Sequence, residues 1–149
     1  MKTQLQLDLL LVEDNDGHAR LIEKNLRRSY AGNSLTHVSD GQEAIDYIRG
    51  RGRHEGTPHV SNLLVLLDLN LPVMDGFEVL RRLKSDPATS SIPVIILTTT
   101  DDQHEVRRCY ELGCNLYVTK PVDYEQFTEA IHKLGLILSV ITLPNQEAL

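Results

Sequence analysis

The sequence predicts an α/β fold, a doubly wound (βα)5 domain whose parallel sheet is covered by helices on both faces. Short apolar runs alternate with segments of helical periodicity along the chain. The central run, Leu63–Leu67 (LLVLL), is apolar without a break, as a strand buried on both faces must be. Chemically capable polar residues recur just after the apolar runs, where an open parallel sheet presents its ligand-binding edge.

The elements follow in order. Residues 7–12 (LDLLLV) read as the first strand, and 18–28 as a helix with Leu21, Ile22 and Leu26 inward. Leu35–Val38 is a short strand, and 42–48 a helix with Ala44, Ile45 and Ile48 on one face. Residues 50–62 (GRGRHEGTPHVSN) are polar, Gly-rich and basic. They read as a solvated loop, with partner contact as the sharper alternative. After the central strand, 76–84 places Phe77, Leu80 and Leu83 at helical spacing. Pro93 sets the entry to strand 94–97 (VIIL), and 102–112 is a helix that begins on acids and stops at Gly113. Residues 116–118 form the last strand, and the last helix begins at Tyr124.

The totals fit one domain. The 149 residues are 41% hydrophobic and 24% charged, ordinary for a globular chain. With no Trp and 5% aromatics, the core must be aliphatic. A net charge of −6 argues against a general nucleic-acid binder. The N-terminal apolar run is too short to span a bilayer and lacks a cleavage site, so a cytoplasmic protein without membrane contact is expected. Cys109 and Cys114 make neither a disulfide framework nor a CxxC pair, and their spacing on a helix would put them on different faces. The six histidines show no ligand spacing. His18 lies near the acids at 13 and 14, on the helix that faces the same edge.

That edge carries the chemistry. Glu13 and Asp14 follow the first strand, Asp68 the third, Thr98 the fourth and Lys120 the fifth. Converging carboxylates repel one another, and a divalent cation relieves the repulsion. Oxygen ligands without His or Cys point to Mg²⁺ or Mn²⁺ rather than zinc. A carboxylate beside a metal and a fixed ammonium can attack a phosphoryl donor in line, and a hydroxyl can then bond the transferred group. A merely structural cluster would require such residues to fall at strand ends by chance.

The motifs LLVEDND (10–16), LLDLNLPVMDGFEVL (66–80), PVIILTTT (93–100) and YVTKP (117–121) resemble the receiver domains of two-component response regulators. The resemblance covers nearly the whole chain and implies a flavodoxin-like sheet in the order 2-1-3-4-5. It makes Asp68 the phosphoacceptor. Asp14 would bind the metal directly, Glu13 largely through water, and the Asn70 backbone carbonyl would complete the protein ligands. Lys120 would contact the phosphoryl group, Pro121 would hold the next loop, often by a cis bond in this family, and Gly76 would allow the turn after Asp75. Thr98 and Tyr117 would couple phosphorylation to a conformational change; a half-buried sheet-edge aromatic is the plainer reading of Tyr117. Thr99 stands where receivers usually carry a very small residue, so phosphoryl exchange is expected to be slower than in Thr99→Ala, and equal rates would contradict this.

A narrower resemblance, carried by YIRGRGRHEGTPHV, ILTTTDD and YELGCNLYVTKPVDYEQF, is to the small response regulators of bacterial phytochromes. It implies a light-sensing histidine kinase as partner. Residues 1–149 read as a single receiver domain without an output module, with a core at about 7–135 and a helical extension and tail at about 136–149. In the last helix, Phe127, Ala130, Ile131, Leu134 and Leu138 form one core-facing apolar stripe, and Leu136, Ile137, Val140 and Ile141 lie outside it. A homodimer face built on Phe127, Leu136, Ile137 and Val140 is expected, with a tail folded on its own domain as the alternative. Three rivals differ at specific residues. An aspartyl-phosphate phosphatase would want an acid where Asn70 stands. A flavin carrier needs a Gly/Ser/Thr-rich phosphate loop where EDNDG stands. A phosphorylation-independent adaptor has no need of the acids, hydroxyl and amine together.

Overall fold

Aliphatic runs without polar interruption can pair only where both faces of the sheet are covered. In the computed structural model, which describes residues 7–29, 34–56 and 62–138, they do so. Strands β1 (Asp8–Val12), β2 (Leu35–Val38), β3 (Leu63–Leu67), β4 (Val94–Thr98) and β5 (Leu116–Thr119) form one parallel sheet in the order β2-β1-β3-β4-β5. The helices are α1 (Asp16–Ser29), α2 (Gly41–Arg49), α3 (Gly76–Ser85), α4 (Gln103–Leu112) and α5 (Tyr124–Leu138).

Strand periodicity divides the core in two. Leu10, Val12, Val65, Leu67, Val94 and Ile96 point to one side and pack with α2, α3 and α4. Leu9, Leu11, Leu64, Leu66, Ile95 and Leu97 point to the other, against α1 and α5. The register sets Val12 beside Val38 and Leu67, Leu67 beside Ile96, and Thr98 beside Thr119. The residues just past these positions must therefore share one edge.

Capping accounts for the helix ends. Helix α1 begins two residues before the periodicity predicts, because Asn15 Oδ1 accepts the His18 N–H at 3.0 Å. Asp40, Asp75 and Asp102 cap α2, α3 and α4 in the same manner. Gly113, with φ 106°, ends α4 and donates to the Cys109 and Tyr110 carbonyls. Cys114 therefore lies beyond the helix rather than on another of its faces, and both cysteines are buried in the same cluster.

The basic loop is only partly free. Gly52–His54 form a 3-10 turn, and Glu43 of α2 holds Arg53 at 2.7 Å and His54 at 3.2 Å. The rest of that loop, 57–61, lies outside the described residues, as do Val140 and Ile141. Phe127, expected on a dimer face, is 5% exposed and sits in the core beneath α1 and α5. The stripe it shares with Ile131, Leu134 and Leu138 is the helix's inner face, so the expectation for Phe127 is corrected. Leu136 and Ile137 are half exposed, as the outer face requires.

Candidate functional site

The carboxyl ends of β1, β3, β4 and β5 bring the expected residues together. Glu13, Asp68, Thr98 and Lys120 are buried, and Asp14 is exposed at the rim. Carboxylate oxygens of Glu13, Asp14 and Asp68 lie within 4.8 Å of one another. Lys120 Nζ donates to Asp68 Oδ2 at 3.2 Å and to Glu13 Oε1. The Lys120 backbone N–H donates to the Thr98 carbonyl, which fixes the β4 and β5 ends side by side.

Burial sets the electrostatics. Desolvation raises the Glu13 carboxyl to about 7, although Lys120 opposes the shift. The Glu13 backbone is anchored by His37, whose Nε2 lies 2.7 Å from its carbonyl oxygen, and Glu13 Oε2 accepts the Asn15 N–H at 3.2 Å. The Thr98 hydroxyl is fully buried with no hydrogen-bond partner. A buried hydroxyl left unpaired costs free energy that an arriving oxygen acceptor would recover.

The donor set fits a hard divalent cation: all oxygens, mostly charged, near one another and short of positive charge apart from Lys120. Asp14, Asp68 and Glu13 would hold it, and when bound it would neutralise charge on transferring phosphoryl oxygens. Asn70 is exposed beside them, and its N–H points to Asp68 Oδ1 at 3.4 Å.

Gly76 serves this site sterically rather than through φ. A Cβ there would lie 2.3 Å from the Asp68 carbonyl oxygen, so only glycine lets α3 start against the end of β3. No peptide bond among the described residues is cis, so Pro121 follows a trans bond, the form that X–Pro bonds generally favour. Tyr117 is half buried against the α2–α4 side of the core, and its hydroxyl donates to the Thr100 carbonyl at 2.6 Å. That bond ties the ring to the segment leaving Thr98. Thr99, between them, is exposed. His18 lies at this edge, as its nearness to the acids at 13 and 14 implies, and its Nδ1 is 3.4 Å from Lys120 Nζ, a contact that no sequence pattern marks. The available signal for its position was its place in the first turn of α1, the helix that follows directly on the acids at the end of β1.

Comparison with known proteins agrees with this geometry. Residues 9–132 match the model of the response regulator receiver domain. The chain is 36% identical over 137 residues to the response regulator Rcp1 of a Synechocystis strain, covering 91% of this chain and 92% of that one. The Mn²⁺-bound structure of Rcp1 superposes with a TM-score of 0.85 at 35% identity, covering 93% and 99% of the two chains. A receiver domain from Rhodospirillum rubrum gives a TM-score of 0.85 at 48% identity, covering 93% and 98%. The phosphorylated cyanobacterial phytochrome response regulator RcpA gives 0.84 at 37%, covering 95% and 100%.

Proposed function

The chain belongs to the response regulator receiver family, and from that membership we propose that Asp68 accepts a phosphoryl group from a sensor histidine kinase with Mg²⁺ or Mn²⁺ bound by Glu13, Asp14, Asp68 and the Asn70 carbonyl. The observation that carries the reading is the unpartnered Thr98 hydroxyl, fully buried at the same edge as the Lys120 and Asp68 side chains.

The steps follow from these residues. One Asp68 carboxylate oxygen forms a bond to phosphorus as the bond from phosphorus to the donor nitrogen breaks, and that nitrogen takes a proton. Lys120 turns a donor towards a phosphoryl oxygen, and the Thr98 hydroxyl donates to another. Thr98 cannot move without shifting the segment to Thr100, to which Tyr117 is hydrogen bonded. Tyr117 therefore carries the change to the α4–β5 surface. The protein acts as a stoichiometric signalling acceptor, with Pro121 and Gly76 holding the loops.

Likeness to the phytochrome response regulator RcpA supports a phytochrome-type histidine kinase as the partner. No described helix is long and apolar enough to cross a membrane. The exposed Leu136 and Ile137 on α5 support a homodimer, and the net charge of −6 supports action without direct nucleic-acid binding. Intact mass after incubation with Mg²⁺ and acetyl phosphate tests the core of the reading. A gain of one phosphoryl group, labile to base and missing in Asp68→Ala, is expected; an adduct that persists in the variant contradicts it.

A further inference from the structure

A lysine ammonium has three N–H donors, and that of Lys120 is buried, so a donor without an acceptor costs free energy there. Two acceptors are the Glu13 and Asp68 carboxylates. The third is not an acid. His18 Nδ1 lies 3.4 Å from Nζ, and the His18 ring rests on the Phe127 ring of α5, with centroids 5.6 Å apart and planes at 30°. Phe127 is itself locked in the core. The imidazole is thus braced on one face while one edge meets the ammonium.

We propose that His18 is a positioning residue for Lys120 in phosphoryl transfer, an inference that rests on the phosphoryl-acceptor reading of Asp68. When a phosphoryl group arrives, Lys120 must turn a donor to one of its oxygens. A third carboxylate beside Lys120 would add negative charge next to those oxygens and hold the ammonium back. A neutral imidazole accepts a hydrogen bond without adding charge. Burial, and then the Lys120 charge, hold His18 below its usual value, against the opposing pull of Asp68 and Asp14. Acceptance at Nδ1 requires the proton on Nε2. Without the imidazole, the ammonium is free to settle onto Glu13, to which it already donates.

Two substitutions separate the contacts. His18→Phe keeps the stack on Phe127 and loses the acceptor; His18→Asn keeps an acceptor oxygen near the Nδ1 position and loses the stack. With the full chain, Mg²⁺ and acetyl phosphate, His18→Phe is expected to take up phosphoryl groups about tenfold more slowly, the scale of one hydrogen bond to a charged donor. His18→Asn is expected to recover most of that rate. Nitrogen NMR of the wild-type imidazole should show the Nε2–H tautomer at His18. A His18→Phe variant as fast as wild type, two equally slow variants, or an Nδ1–H tautomer each overturns the role of His18. Each of these leaves the reading of Asp68 intact if the wild type is phosphorylated there and Asp68→Ala is not. A wild type that takes up no phosphoryl group overturns both.

Discussion

At the scale of single residues, the site is held together by groups that would be costly anywhere else. Glu13 is buried, and its carboxyl is raised from 4.5 to about 7 by desolvation. A carboxyl whose pKa is raised by folding contributes stability that is whole below its unfolded value and is lost as pH rises through the folded one. The metal-free protein should therefore lose melting temperature between about pH 5 and about pH 8 more steeply than Glu13→Gln does. Parallel curves for the two proteins would contradict the assignment. Thr99→Ala tests the rim of the site. Thr99 is exposed beside Thr98, and removing its branched side chain should speed both phosphorylation and dephosphorylation about threefold, as read from the mass time course. That Glu13, Asp14, Asp68, Thr98 and Lys120 meet at one edge was legible in the sequence because each follows an apolar run. Contacts between side chains were not: nothing in the spacing of His18 and Lys120, far apart in the chain, shows that they meet.

At the scale of elements, the loop from β3 to α3 carries strain that the sequence concealed. Val73 has φ 68° and is 82% exposed, at the centre of a tight turn closed by the Met74 N–H on the Pro72 carbonyl at 2.7 Å. A β-branched residue is disfavoured in that region, and such turns are rare. Val73→Gly should stabilise the protein by about 0.5–1 kcal/mol in denaturant unfolding; a destabilised variant would show that the side chain makes a contact that outweighs the strain. Helix α5 shows the reverse case. Its apolar residues outnumber what one face can bury, and periodicity already sets Phe127 in one stripe with Leu136 and Ile137 outside it. The burial of Phe127 in the core is what removes it from an outer contact face. Ile137→Glu should leave the melting temperature nearly unchanged, since the side chain is half exposed, yet shift the mass seen in light scattering from dimer to monomer. A monomeric wild type would count against the homodimer. Boundaries were legible where a cap was recognisable, as at Asp102 and Gly113, and displaced where Asn15 capped α1 unannounced.

At the scale of the whole molecule, the sheet order and register make the site. Parallel pairing with Val12, Leu67 and Ile96 in line delivers residues from distant parts of the chain to one edge. Alternation of strands and helices predicts the parallel sheet and its shared edge, whereas the strand order came from the family resemblance. The two cores on either side of the sheet then have separate duties. The side with α1 and α5 braces His18 through Phe127, and the side with α2, α3 and α4 holds Tyr117. An added charge at Asp68 can thus be felt on both faces. Phosphorus NMR of the protein with Mg²⁺ and a small acyl phosphate tests the central claim most directly. A protein-borne acyl-phosphate resonance should appear in the wild type, and it should be missing when a chelator is present from the start and in Asp68→Asn. A resonance that persists in Asp68→Asn, or none in the wild type, would contradict the account.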